Sequence, residues 1–512
     1  MTKVQPAGTE AVTIDYAAIV TTWSPEERAD REKKFLRKID FRLLPILIVM
    51  YIMNYIDRNA VPHARVQGLE EDLGLKGVQY NIVLSITFIG YILMQGESIK
   101  LENVPSNMIL SKVRPSWYLA LCMVAWGIVS GATAAVHGFA GLVVCRFFLG
   151  VTEAPFFVGV AFLFSGWYTR KELGLRLGIF FCAAMVSGAF GGLFAAGIAA
   201  AFENNRIKSW RWLFLIEGIA TVVFAVVTGL VIPDWPATTK WLSEEEKALG
   251  IIRIVEDAGE EEEDITTLAA FKMAAKDHRV WLCIVGQMCV QAVASLTNFL
   301  PTLVKSFGYS TIKTLLLTAP PFLFTAIFCL FNTWYSDRTS QRSPHIIYPS
   351  FVALAGIIIT MATTNTAARY FALFLMLPGT YGCFQISNAW MANIGARPRK
   401  KRAISLAMNN SVGNLALVWT PYLYPASDGP RYMTAWSVNL ALTVITIASS
   451  IALTICLGRD NKKMDEMAST LSVEEGVSGK NLAEHLEKHG EHATVGRPLG
   501  GINAGSKARY DI

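Results

Sequence analysis

FRLLPILIVMYIMNYIDRNAVP, residues 41–62, is an apolar run of helix length that carries Asp57 and Arg58 in its second half. About 20 residues rising 1.5 Å each cross a hydrocarbon core roughly 30 Å thick. Lipid offers no hydrogen bonds, so a backbone inside it must satisfy its own groups, and a helix does so within one segment. The run lacks the period-2 alternation of a barrel strand. Further runs of this kind lie near 79–96, 116–136, 139–165, 175–200 and 210–232. After a polar stretch, 233–279, six more follow near 280–300, 315–335, 345–364, 368–394, 403–424 and 433–457. Six spans, a long loop and six spans therefore organise the chain.

Composition agrees. Hydrophobic residues make up 53% of the chain and charged ones 17%, against about 25% charged in soluble domains. The eight cysteines all sit in apolar runs without a C-x-x-C or Cys/His cluster, so neither a metal site nor a disulfide framework is expected. The net charge of +6 reflects basic loops on one side of a membrane, not a nucleic-acid surface. Arg28, Arg31, Lys33, Lys34, Arg37, Lys38 and Arg42 precede span 1, and basic clusters follow the even-numbered spans, such as Arg397, Arg399, Lys400, Lys401 and Arg402. The positive-inside rule puts that side, and both termini, in the cytoplasm. Arg206, Lys208 and Arg211 are the exception on the other side.

The segments flanking the spans are an arm, 1–40, with no cleavable leader expected, and a tail, 458–512, that reads as largely disordered. In the loop, Pro233-Asp234-Trp235-Pro236 stops span 6. Ser243 and Glu246 then form a capping-box pattern that predicts a surface helix. The expected divisions are 1–40, a first bundle 41–232, a central loop 233–279, a second bundle 280–457 and the tail 458–512.

Several motifs carry a resemblance. Lys38-Ile39-Asp40 precedes span 1, which contains Asn54-Tyr55-Ile56-Asp57-Arg58. Val104-Pro105-Ser106-Asn107, Arg146-Phe147-Phe148-Leu149-Gly150-Val151-Thr152-Glu153-Ala154, Trp210-Arg211-Trp212, Asn409-Asn410-Ser411-Val412-Gly413-Asn414 and Asp428-Gly429-Pro430-Arg431-Tyr432 follow. Over roughly residues 35–465 these resemble the major facilitator superfamily, and within it the fungal anion:cation symporter family of allantoate-, nicotinate- and pantothenate-permease type. The resemblance implies an all-α membrane protein whose twelve transmembrane helices form two six-helix bundles, the major facilitator fold. It also implies proton-coupled uptake of a small carboxylate. The superfamily's gating motif is partly present. Asp337, Arg338 and Arg342 after span 8 match it, and Lys112 after span 2 is a remnant. Such a latch would pin neighbouring helices; plain topogenic charge is the alternative. One departure is Gln95 to Val104, where Glu97, Lys100 and Glu102 fall on the expected inner half of span 2. Charge at a helix centre costs at least about 2.5–3 kcal/mol, so a break or bulge is predicted there.

Ionisable groups inside spans are the candidate site. Asp57 and Arg58 point about 100° apart. Arg58 reads as the anion-binding residue, since a guanidinium fork donates two parallel hydrogen bonds to a carboxylate; a structural salt bridge is the alternative. Arg146 and Glu153, seven apart on span 4, share a face. Arg146 is a second anion-binding candidate. Glu153, with Asp57 behind it, is the proton-coupling candidate, because desolvation lets a buried carboxyl exchange a proton near neutral pH. An Arg146–Glu153 or Arg58–Glu153 structural pair remains open. Asn410 and Asn414 lie one turn apart on span 11, and with Asn298 and Gln385 they could line a polar cavity or join helices. Gly188 and Gly192 form a G-x-x-x-G spacing that indicates close packing. His63 and His137 fall at outer helix ends, where solvated bystanders are expected.

The reading is a plasma-membrane carrier acting as a single chain. Its partners are a small organic anion, protons and the bilayer, with no cofactor and no nucleic acid. No nucleophile–base set, P-loop or cofactor motif points to an enzyme or an ATP-driven pump. A proton-driven exporter and a non-transporting nutrient sensor are the competing functions.

Overall fold

The computed structural model describes residues 16–100, 114–258, 265–394 and 398–475. Twelve long helices follow in chain order. They are α1 (Leu44–Val66), α2 (Gln79–Lys100), α3 (Pro115–Ala132), α4 (Phe139–Trp167), α5 (Arg170–Ala201) and α6 (Ser209–Val231). Then come α7 (His278–Ala294), α8 (Thr311–Thr339), α9 (Pro344–Ala362), α10 (Thr366–Ile394), α11 (Arg399–Trp419) and α12 (Met433–Glu475). Among the described residues nine helices are long and apolar enough to cross a membrane by composition alone; α2, α10 and α11 fall short. All three take part in the contacts between the bundles, α2 with α11 and α10 with α5.

The packing repeats with a period of six helices. In the first bundle α1 packs on α5 and α6, α2 on α4, and α3 on α4 and α6. In the second, α7 packs on α11 and α12, α8 on α10, and α9 on α10 and α12. Between bundles α5 meets α8 and α2 meets α11, again a related pair. This is the arrangement of two repeats turned about an axis along the membrane normal. Small residues allow the closest approaches. A Cβ on Gly150 of α4 would stand 1.9 Å from the Thr87 carbonyl of α2. The Gly188 and Gly192 pair of α5 faces α8, where added Cβ atoms would meet the Phe322 ring at 2.7 Å and Thr318 Oγ1 at 2.3 Å. The G-x-x-x-G spacing thus sets the approach of one bundle to the other.

The face on which the chain enters α1 is ion-paired. Helix Pro25–Arg42 runs along it beside helix Glu244–Ala258 of the central loop. Arg28 pairs with Glu256, Arg31 with Glu245, and Lys38 with Glu246 at 2.7 Å. The loop helix starts with the expected capping box: Ser243 N donates to Glu246 Oε2 at 2.9 Å, and Glu246 N to Ser243 Oγ at 3.2 Å. Arg253 joins it to Glu172 of α5. After α6 stops, Asp234 Oδ1 accepts from Ser116 N at 3.0 Å and its carbonyl from Trp167 Nε1 at 3.2 Å, tying the ends of α3 and α4 together. On the opposite face Arg211 donates to the Ala134 and Val136 carbonyls at 2.9 and 2.8 Å and pairs with Asp72 at 2.9 Å. Of the three exceptions to the charge rule, Arg211 is therefore bound into its own loops, while Arg206 and Lys208 are exposed.

The structure departs from expectation in four places. Helix α2 runs unbroken through Glu97 to Lys100, the first part of the Gln95–Val104 stretch where a break or bulge is expected; residues 101–113, Glu102 and Lys112 among them, lie outside the described residues. Helix α12 continues to Glu475, well into the tail expected to be disordered from 458. His63 is buried at 3% exposure rather than solvated, because α5 packs over it at Gly191. Finally, α7 is discontinuous. It passes through a 3₁₀ stretch, Ser295–Phe299, and resumes as Leu300–Lys305 with Pro301 at its start.

Asp277 caps the start of α7 and accepts from Arg279 at 2.9 and 3.1 Å and from Lys401 of α11 at 2.9 Å. Burial pushes its carboxyl up, but the Arg279 and Lys401 cations outweigh that and hold it at about 2. The stabilisation from this lowered value is complete above the unfolded value of about 3.9 and disappears as the pH falls through about 2. Asp277→Asn leaves the Lys401 ammonium, 4% exposed, without its counter-charge, and breaking such a pair costs about 3–5 kcal/mol. We expect a clear drop in the melting temperature of the detergent-purified protein, whereas Arg31→Gln in an exposed pair leaves it unchanged. Equal behaviour of the two variants would refute the buried-pair account.

Candidate functional site

Asp57 and Arg58 diverge around α1 as adjacent helical residues must. Asp57 is fully buried and turns into the first bundle, where Ser130 of α3 and Thr221 of α6 donate hydroxyls to its two oxygens at 2.7 and 2.8 Å. Arg58 turns toward α2 and α4. Its Nε and Nη2 both reach Glu153 Oε2, at 2.9 and 2.7 Å. The guanidinium stands over the rings of Tyr55 at 5.1 Å, Tyr91 at 5.0 Å and Phe88 at 6.0 Å. Of the two open pairings for Glu153, the one with Arg58 is formed. It is asymmetric: the Arg58 side chain keeps 16% exposure and that of Glu153 none.

Arg146 is one-hundredth exposed and lies deeper. Its Nη1 donates to the Asp57 backbone carbonyl at 3.4 Å, and its guanidinium sits 5.0 Å from the Phe214 ring of α6. Nε and Nη2 have no partner. Three groups of this cluster escape a reading of motifs: Ser130, Thr221 and above all Glu217. Glu217 lies one turn before Thr221 on α6, is buried at 1% exposure, and neither of its oxygens has a hydrogen-bond partner. Its signal was present: a lone carboxyl in an otherwise apolar span, which is expensive in a membrane by default.

The second bundle offers neutral polar groups. At the break in α7 the Ala294 carbonyl accepts from Tyr381 at 3.3 Å and from Thr297 at 3.0 Å. Asn298 is half-buried in the same break. Gln385 of α10 bridges the bundles, accepting from Thr333 of α8 at 3.2 Å and donating to the Cys182 sulfur of α5 at 3.7 Å. On α11 the amides form chains: Gln291 donates to Asn414 at 3.2 Å and Asn414 to Asn410 at 3.3 Å, while Asn409 donates to Asn388 of α10 at 3.0 Å. The structure thus collects Asp57, Arg58, Arg146 and Glu153 into one cluster. It leaves Asn298, Gln385 and the Asn410–Asn414 pair as separate stations of the other bundle.

The motif after α8 closes on itself. Arg342 Nη1 reaches Asp337 Oδ1 at 2.6 Å and Ser336 Oγ at 3.2 Å, while Arg338 lies over the Trp334 ring of its own helix at 5.5 Å. The pair stays within the α8–α9 turn in this conformation.

Comparison with known proteins agrees with the architecture. The family model of the Major Facilitator Superfamily matches residues 47–421. The chain is 32% identical to the MFS-type transporter cnsO of Penicillium expansum, over 91% of this chain and 90% of that one. It is 30% identical to the Major facilitator-type transporter hxnP of Emericella nidulans, over 89% and 92%. Among solved structures it is similar to a D-xylose-proton symporter, with a TM-score of 0.62 at 13% identity over 81% of this chain and 97% of the other. A bacterial homologue of the lysosomal transporter Spinster, inward-facing and unoccupied, gives 0.58 at 16% identity over 80% and 94%. The family match over residues 47–421 and the relatives at 30% identity or more, together with twelve helices packed as two repeats among the described residues, establish that the chain belongs to the major facilitator superfamily and is a multi-pass membrane transporter.

Proposed function

We propose that this transporter carries a small organic anion, a carboxylate of nicotinate, allantoate or pantothenate size, into the cell together with protons. The carrier would act as a single chain in the plasma membrane, with both termini in the cytoplasm. The observation that supports this reading is the Arg58–Glu153 pair, in which the cation is partly accessible and the carboxylate is not. A membrane protein keeps a guanidinium at this depth only against a counter-charge or a wet crevice. A bidentate guanidinium suits a carboxylate guest, and the rings of Tyr55, Tyr91 and Phe88 favour a flat or apolar one. An arriving anion would compete with Glu153 for Arg58. The displaced carboxylate would then be buried without a counter-charge, which is costly, and taking up a proton removes that cost. Anion binding and proton uptake are thereby one event. Asp57, held by two hydroxyl donors, is the second station for the proton. Arg146, Asn298, Gln385, Asn410 and Asn414 would complete the recognition as the bundles rock about their axis. Asp337, Arg338, Arg342 and Lys112 would act as the latch in the alternate state.

Two outcomes follow. In a transporter-deficient host, Arg58→Gln lowers uptake of whichever labelled carboxylate the parent carries by at least about tenfold, the minimum for losing a charged hydrogen bond, with normal membrane insertion. Unchanged uptake would remove Arg58 from the binding role. Glu153→Gln mimics the protonated carboxyl, so exchange of labelled for unlabelled anion should persist while uptake becomes indifferent to external pH and to protonophores. If the parent is itself indifferent to both for every carboxylate tried, proton coupling is wrong; efflux exceeding uptake in the same vesicles would point to an exporter.

A further inference from the structure

Behind the Arg58–Glu153 pair the first bundle contains a charge imbalance. Asp57, Glu153 and Glu217 are three buried carboxyls, and Arg58 and Arg146 are the two guanidiniums among them. With all five ionised, the cluster carries an excess negative charge in a medium that penalises it heavily. One proton restores neutrality.

The hydrogen bonds say which carboxyl holds it. Asp57 accepts two hydroxyl hydrogens and Glu153 accepts two guanidinium hydrogens, which suits carboxylates. Glu217 accepts nothing at either oxygen. Thr221, on the same face one turn along, is turned to Asp57 instead. Among the described residues the charged groups acting on Glu217 are Asp57 from α1 and Arg146 from α4. From α3 the backbone of Gly131 comes against the neighbouring Gly218, and no charged side chain of α3 or α5 acts on it. The unpartnered Nε and Nη2 of Arg146 lie within electrostatic reach of Glu217, the guanidinium resting on Phe214, three residues before it. The cluster therefore contains an ion pair that is available but not made.

We propose that Glu217 is a resident proton site of the first bundle, neutral in this conformation and ionised in the alternate one, where Arg146 turns from the Asp57 carbonyl to pair with it. The proton released by Glu217 passes to Asp57, so the five groups sum to zero in both states. The helix turn that binds Asp57 through Thr221 gives the transfer a short path. Within the proton-coupled reading, on which the transport arm of the test rests, Glu217 stores the proton and Asp57, the neighbour of Arg58 along α1, receives it inside the bundle.

The test has two arms. In infrared spectra of the purified full-length protein, Glu217→Gln should remove a protonated-carboxyl stretching band that Glu153→Gln leaves in place, and Glu217→Asp should shift it. An unchanged band in Glu217→Gln overturns the proposal; should that variant not fold, an unshifted band in Glu217→Asp does so. In proteoliposomes, Glu217→Gln should lose at least about tenfold in pH-gradient-driven accumulation of labelled nicotinate while counterflow stays within about twofold of the parent. A role confined to packing would lower both together, which also overturns it. A parent that shows the band but no gradient-driven accumulation would sustain the proton site and refute the coupled uptake of nicotinate.

Discussion

Holding ionised side chains inside a lipid-shielded bundle costs several kcal/mol per charge after relaxation, and that expense organises the first six helices. Arg58, Glu153, Asp57 and Arg146 come from two helices, and α3 and α6 supply hydroxyls and a carboxyl to complete them. Close helix approach makes this possible. Gly150 lets α4 lie on α2, which brings Phe88 and Tyr91 of α2 and Glu153 of α4 around the same guanidinium. A larger residue there would push the backbones apart and strand Arg58. Packing and charge are therefore one constraint, and the unpartnered atoms of Arg146 and Glu217 mark where it is not fully met.

The two bundles answer the constraint differently although their packing is the same. Each begins with an acidic residue ahead of its first helix that pairs with a base on its fifth: Asp40 with Arg176 at 2.7 Å, and Asp277 with Lys401 at 2.9 Å. In the membrane interior the likeness ends. The first bundle holds the charges, while the second presents amides and hydroxyls around the break in α7. A charged half can bind and neutralise an anion, and a neutral half can discriminate its shape without adding a charge of its own to be offset. For the proposed carrier this division lets the charge state be set on one side of the seam and the fit on the other.

How much of this is legible in the sequence depends on whether a feature is local. Span 1 with Asp57 and Arg58, the six–loop–six order and the Ser243–Glu246 capping box depend on neighbours a few residues apart, and all can be read from the chain. That Glu153 pairs with Arg58 and not Arg146 depends on how α1 and α4 are turned toward each other, which spacing along α4 cannot supply; sharing a face says only that both are candidates. The break in α7 was hidden because its apolar run continues through it, Pro301 being the one mark. Glu217 lies beyond the Trp210-Arg211-Trp212 motif and belongs to no motif of its own, although a carboxyl in an apolar span is itself informative. Helix α2 continues through Glu97 to Lys100, and its end lies outside the described residues.

Toward one face the seam between the bundles is closed by neutral contacts, and this bears on how a solute could reach Arg58. Toward the face opposite the N-terminal helix, Tyr80 of α2 meets Phe299 of the α7 break edge-on at 6.1 Å, and Phe299 stacks on Tyr424 after α11 at 4.3 Å. Ser85 of α2 donates to the Val418 carbonyl of α11 at 2.7 Å, and Thr311 of α8 lies 3.5 Å from the Val66 carbonyl of α1. These contacts join α1 and α2 to α7, α8 and α11 with aromatic rings and single hydrogen bonds, not with ion pairs. Such a closure is weak at each contact, since a neutral hydrogen bond contributes about 1 kcal/mol net and an aromatic pair about 0.5–1.5 kcal/mol. A barrier built this way can part without uncovering a charge. The ionised groups lie on the near side of it, inside one bundle, so opening the seam need not break their pairs. In the proposed cycle, occupancy of Arg58 sets the charge, the aromatic seal follows, and the two tasks stay on separate residues.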